Sequence, residues 1–162
     1  MAKPYKHILV TTDLSPFSIN AFESARQQVL QAGQDKVKLT LLYVLEDVTN
    51  TSLPYLLGGS SVIKASGVME VAESESRQKL QELVKEHFSD FQVEIRLLVS
   101  TIPSSLAIVQ FAKEEGVDLI VLATHGRSGI SGVLLGSTAL KILHEAPCPV
   151  LAVPITKESN AV

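Results

Sequence analysis

Hydrophobic and polar positions alternate along the chain in two rhythms. Short apolar runs of strand length are separated by longer stretches in which apolar residues recur every three or four positions. Ile8-Leu9-Val10 is apolar and β-branched, a first strand. Ile19, Phe22, Ala25, Val29 and Ala32 then mark one face of a helix over 16–32. Ser15 is placed to cap that helix, Pro16 suits its first position and Gly33 ends it. Residues 37–45 read as a second strand and 46–67 as an irregular segment with Pro54, Gly58-Gly59 and Ser60-Ser61. So long a segment suits a lid or a binding loop. A second helix is expected over 68–88, with Leu80, Leu83, Val84 and Phe88 inward.

In the third strand, 93–99, Val93, Ile95, Leu97 and Val99 alternate with Glu94, Arg96 and Leu98, as in an outer strand with one wet face. A third helix over 103–115 stops at Gly116, and 118–123 is a fourth strand, apolar enough to be covered on both faces. A fourth helix runs from Ser137 to about Glu145 and is stopped by Pro147. The last strand, Val150–Val153, lies between Pro149 and Pro154, which places it at an edge. Five strands joined by helices predict an α/β fold, a parallel doubly wound sheet with helices on both faces. In such sheets ligands bind beyond the carboxyl ends of the strands where the winding reverses, here expected between the first and fourth strands.

Chemistry concentrates there. The fourth strand runs into Thr124-His125-Gly126-Arg127-Ser128-Gly129-Ile130-Ser131-Gly132-Val133-Leu134-Leu135-Gly136-Ser137-Thr138. Glycine lets the backbone approach a ligand with no Cβ in the way, and the following helix offers unpaired N–H groups and a positive dipole end. That combination suits a phosphate, such as that of a nucleotide. Residues 119–144 contain no Asp or Glu but include Arg127 and Lys141. The loop is neither a Walker A sequence nor the Gly-x-Gly-x-x-Gly dinucleotide fingerprint. Asp13, just after the first strand, is suited either to ribose hydroxyls or to a helix cap, and Ser15 is the better cap. His125 is suited to a phosphate or to solvent. No histidines fall at metal-ligand spacing, no Gly-x-Ser-x-Gly elbow occurs, and the single cysteine, Cys148, excludes an intramolecular disulfide.

The chain has 162 residues, suited to one domain spanning 1–162, and a net charge of −3, which gives no general attraction to nucleic acid. No apolar run reaches the roughly 18 residues of a membrane helix. The polar N-terminus lacks a signal-peptide pattern, so the expected location is the cytoplasm, with no membrane partner.

Val10-Thr11-Thr12-Asp13-x-Ser15, Leu42-Tyr43-Val44, the Thr124–Thr138 segment and Ala146-Pro147-Cys148-Pro149-Val150-Leu151 together resemble the universal stress protein family over nearly the whole chain. The resemblance implies strand order 3-2-1-4-5 and a homodimer paired through Val150–Val153. It also implies ATP, or ADP or AMP, with Mg²⁺. ATP-binding members resemble Gly-x2-Gly-x9-Gly-Ser/Thr, and here Ala123 stands for the first glycine, followed by Gly126, Gly136 and Ser137. The expected nucleotide-binding residues are Thr12, Asp13, Val44, Ala123, Gly126, Gly129, Gly136, Ser137 and Thr138, with Arg127 added for its charge, suited to the outermost phosphate, and not by the resemblance. Asp13 would hold ribose, Val44 would offer backbone groups to adenine, and Gly126, Gly136, Ser137 and Thr138 would cradle phosphates. With no lysine in the loop and no general base beside a γ-phosphate, the expectation is a nucleotide-dependent regulator, at most a slow ATPase or autophosphorylating protein. The alternatives are a nucleotide-independent dimeric binding module, favoured by Ala123, and an ATP-dependent enzyme of a related α/β class, disfavoured by the lack of glycine in residues 11–16.

Overall fold

In the computed structural model of the chain, the residues described are 4–47, 61–124 and 135–154, with backbone only for 61–66. The strands are β1 (His7–Thr12), β2 (Lys38–Glu46), β3 (Val93–Ser100), β4 (Leu119–Ala123) and β5 (Val150–Val153). The helices are α1 (Asn20–Ala32), α2 (Ser61–His87), α3 (Ser104–Glu114) and α4 (Ser137–Glu145). All strand pairs are parallel, in the order β3-β2-β1-β4-β5. β3 and β5 are therefore the edges, as their alternation and flanking prolines predict.

Side chains on a strand alternate between its faces, and here each face has its own apolar layer. Ile8, Val10, Leu41 and Val121 pack with Phe22, Val29, Leu80 and Phe88 of the α1–α2 side. Leu9, Leu42, Ile120 and Leu122 pack with Ile108, Phe111 and Ile142 of the α3–α4 side. Burial on both sides explains why β1, β2 and β4 read as near-continuous apolar runs. Each fully buried large side chain, Phe22 or Phe88 for example, contributes about 1.5–3 kcal/mol of transfer free energy. No helix among the described residues is long and apolar enough to cross a membrane.

Two boundaries differ from the sequence reading. α1 begins at Asn20, not at Pro16, because the amides of Ser18, Asn20, Ala21 and Phe22 each bond the carbonyl three residues back. Residues 16–19 are thus a tight turn leading into the helix, and Ser15 does not cap it. α2 starts at Ser61, earlier than expected, and contains Gly67. One glycine in an exposed helical turn costs about 1 kcal/mol, which a helix of this length tolerates. The remainder of the expected lid, 48–60, lies outside the described residues.

Candidate functional site

From β1 the chain winds outward through β2 to β3, then crosses to β4 and β5 on the other side of β1. The connections leaving β1 and β4 diverge, and a cleft of about 620 Å³ opens between them at the carboxyl ends of the strands. A second, more open concavity lies at the amino ends, lined by Lys6, Asp35, Lys36 and Asp90 among others.

The β1 side of the cleft is a tightly bonded turn. Asp13 Oδ1 accepts the Ser15 amide at 2.9 Å, so the aspartate shapes the turn itself and is not released from it by Ser15. Leu14, between them, has φ +63°, a left-handed backbone that a leucine adopts only under constraint. That constraint is a chain of hydroxyls. The Leu14 amide donates to Thr12 Oγ1 at 3.0 Å, and Ser18 Oγ donates to the Ser15 carbonyl at 2.8 Å. Thr12 Oγ1 and Ser18 Oγ lie 2.7 Å apart. Since the Ser18 proton is committed to Ser15, Thr12 donates to Ser18. Thr12 and Ser18 are both buried and line the cleft.

The β4 side ends in a helix start. The Thr124 amide donates to the Val153 carbonyl at 2.9 Å, and the Gly136 amide donates to the Thr124 carbonyl at 2.8 Å. α4 follows at once with Gly136 as its N-cap, without a side-chain cap. The first intrahelical bond runs from the Leu140 amide to the Gly136 carbonyl. The amides of Ser137, Thr138 and Ala139 therefore have no acceptor among the described residues, and all three residues line the cleft. Such an uncapped first turn binds anions.

Of the residues expected from sequence, Thr12, Asp13, Val44, Ala123, Gly136, Ser137 and Thr138 line this one cleft. Gly126, Arg127 and Gly129, with His125, Ser128 and Ser131, lie outside the described residues. The sequence reading did not single out Ser18, Glu46, Ser104 or Ile108, which also line the cleft. Among the described residues, none that lines the cleft is Lys, Arg or His. Among the described residues no group of three or more His, Cys, Asp or Glu is placed to hold a metal ion. Cys148 lies away from the cleft, half-buried, and burial raises its pKa, so its thiol stays protonated at neutral pH.

The geometry has close parallels among known proteins. The profile of the universal stress protein family matches residues 4–154. Universal stress protein A homolog 2 of Coxiella burnetii is 34% identical over 154 residues, 93% of this chain and 96% of that one. The solved structure of MJ0577, a universal stress protein of Methanocaldococcus jannaschii, superposes with a TM-score of 0.74 at 26% identity. That superposition covers 96% of this chain and 99% of MJ0577. The universal stress protein of Archaeoglobus fulgidus, solved in complex with dAMP, shares the fold at a TM-score of 0.55 and 21% identity, over 93% of this chain and 99% of that one. With its strand order, its cleft at the β1–β4 divergence and a family match across nearly its whole length, this chain belongs to the universal stress protein family.

Proposed function

We propose that this protein is a nucleotide-dependent regulator of a stress response that binds ATP, or ADP or AMP, in the cleft between β1 and β4. The observation that carries the reading is the pairing of Asp13 with the uncapped start of α4 across one cleft. A carboxylate at one wall is suited to ribose hydroxyls. The amides of Ser137 and Thr138 at the other are suited to phosphate oxygens, and Gly136 keeps that turn free of a side chain. The dAMP complex of the Archaeoglobus fulgidus relative supports an adenine ligand in this family. Because the lining offers no cationic side chain among the described residues, charge on the phosphates would be met by main-chain amides, by Arg127 and by Mg²⁺ arriving on the phosphates. That environment favours retention of a nucleotide over rapid turnover.

The protein in this reading works in the cytoplasm as a homodimer, as one nucleotide-binding domain. β5 is a sheet edge with no strand beside its outer side among the described residues, and Leu140 and Leu143 of the neighbouring α4 are 47% and 41% exposed. A second copy set against β5 would satisfy the strand and cover the leucines. Sedimentation of Leu140→Glu/Leu143→Glu against the parent chain tests the dimer, with a monomer expected for the variant.

The nucleotide is tested by denaturing freshly purified protein and separating what it releases, and by thermal melting with millimolar ATP and Mg²⁺. Released adenine nucleotide or a raised Tm is expected. The absence of both effects in the parent chain would refute the reading.

A further inference from the structure

Two helices begin at the cleft, and they begin differently. α4 starts with the amides of Ser137 and Thr138 uncapped. α3 starts at Ser104, and the Ser104 amide donates to Glu46 Oε1 at 2.7 Å. Glu46 is the last residue of β2, lines the cleft and is solvent-exposed at its mouth. Among the described residues it forms no ion pair, and its second oxygen, Oε2, accepts no hydrogen bond.

The carboxylate offsets the positive end of the α3 dipole and adds a negative charge beside it. Of the two helix N-termini facing the cleft, α3 is thereby closed to phosphate and α4 is left open. A nucleotide held by its phosphates at α4 must extend across β1 toward β2. There Val44, Leu45 and Ile108 offer apolar surface to an aromatic base. Among the described residues that line that end, Glu46 supplies the carboxylate, and a carboxylate can only accept hydrogen bonds.

We propose that Glu46 is the specificity-determining residue at the base end of the cleft, where its carboxylate excludes phosphate from the α3 N-terminus and accepts a hydrogen bond from an exocyclic amino group on the base. This rests on the nucleotide reading above and adds to it the direction of the ligand and the feature of the base that is read. Bases with an amino donor at that edge are favoured over bases without one.

The test is calorimetric titration of the full chain, freed of bound nucleotide, with three ligands. These are ATP, purine riboside triphosphate (ATP without its 6-amino group) and inorganic tripolyphosphate. The parent chain is expected to bind ATP about three- to tenfold more tightly than purine riboside triphosphate, the range for one hydrogen bond of ordinary net strength, as suits a solvent-exposed carboxylate. In Glu46→Ala and Glu46→Gln that ratio falls to about one. Glutamine keeps an acceptor for the Ser104 amide, so the start of α3 is retained while the charge is lost. Tripolyphosphate, which has no base, reports the α4 end and is not weakened in either variant. A parent ratio of one, or a ratio unchanged in both variants while ATP still binds, overturns the assignment of Glu46 alone. Failure of all three ligands to bind the parent chain overturns the nucleotide reading and this inference with it.

Discussion

The Gly136 amide hydrogen-bonds the Thr124 carbonyl at 2.8 Å, which ties the start of α4 to the end of β4. The same contact explains why residue 136 is glycine. Its φ of −60° is open to any residue, so conformation is not the reason. A Cβ there would stand 3.1 Å from the Thr124 carbonyl oxygen, tighter than ordinary van der Waals contact. Gly136→Ala is expected to cost about 1 kcal/mol and Gly136→Val up to about 3 kcal/mol, the range for overpacking. Urea unfolding measures the cost. Because the strain falls on the turn that would meet phosphate, the Tm gain from ATP should shrink in the alanine variant and vanish in the valine variant.

Asp13 has two jobs that substitutions can separate. Its Oδ1 holds the Ser15 amide, and its carboxylate charge faces the cleft. Asparagine keeps an acceptor for Ser15 and loses the charge; alanine loses both. Asp13→Asn should therefore melt within a degree or two of the parent chain, while Asp13→Ala should lose about 1 kcal/mol of stability. In the proposed reading both should bind ATP about tenfold or more weakly, since the charge-assisted bond that Asp13 would make to ribose is lost in each. An Asp13→Asn variant with parental ATP affinity would show that the charge is not used.

Both edges and the glycine-to-serine start of α4 were legible in the sequence because each follows from a local pattern with one physical outcome, whereas the strand order followed only from the family resemblance. Pro149 and Pro154 allow Val150–Val153 little other than an edge, and an apolar run such as Leu119–Ala123 needs two covered faces. The start of α1 was not legible in the same way. Ser15-Pro16 fits the preferences of a cap and first turn, but Ser15 is drawn into the turn that Asp13 and Leu14 build, and the amides of Ser18, Asn20, Ala21 and Phe22 bond carbonyls three residues back, so α1 begins at Asn20. Glu46 and Ser18 escaped notice for a different reason. The role of Glu46 depends on Ser104, which is distant in sequence and adjacent only once β2 and β3 pair. Ser18 lies on a turn whose geometry no periodicity describes.

The hydroxyl chain through Thr12 and Ser18 should behave as a unit. Ser18→Ala removes the acceptor of a buried Thr12 hydroxyl, and Thr12→Val removes the acceptor of the Leu14 amide. Each should cost about 1–3 kcal/mol, because each strands a buried polar group. The double variant should cost less than the sum of the two, since with both hydroxyls gone the Thr12–Ser18 bond cannot be lost twice. A double-mutant cycle by urea unfolding gives the coupling. Strict additivity would mean that the two hydroxyls stabilise the Asp13 turn independently.

Stability should also fall on mild acidification, and His7 sets the window. Its ring is buried at 6% exposure at the start of β1. Nδ1 lies 3.1 Å from the Glu115 carbonyl, which can only accept, so Nδ1 carries the proton and Nε2 accepts from Thr40 Oγ1 at 2.9 Å. Burial, the largest effect, pushes the His7 pKa below its ordinary 6.5; the hydrogen bond to the Glu115 carbonyl opposes it, the nearby Lys38 charge adds to the lowering, and the Glu115 and Glu94 charges oppose it less strongly. The unfolded chain therefore takes up a proton before the folded chain does. As pH falls below 6.5 the unfolded state is favoured, and stability drops until His7 itself titrates in the fold. Glu94 acts in a lower window. Its bond to Lys38, at 2.8 Å, holds its carboxyl below the ordinary 4.5, so the stability it contributes is present above that value and lost as pH falls through its lowered pKa. Tm measured from about pH 8 to about pH 5 should decline in the parent chain and flatten in His7→Gln, which removes the upper window and leaves the lower one. An equal decline in His7→Gln would assign the effect to another group.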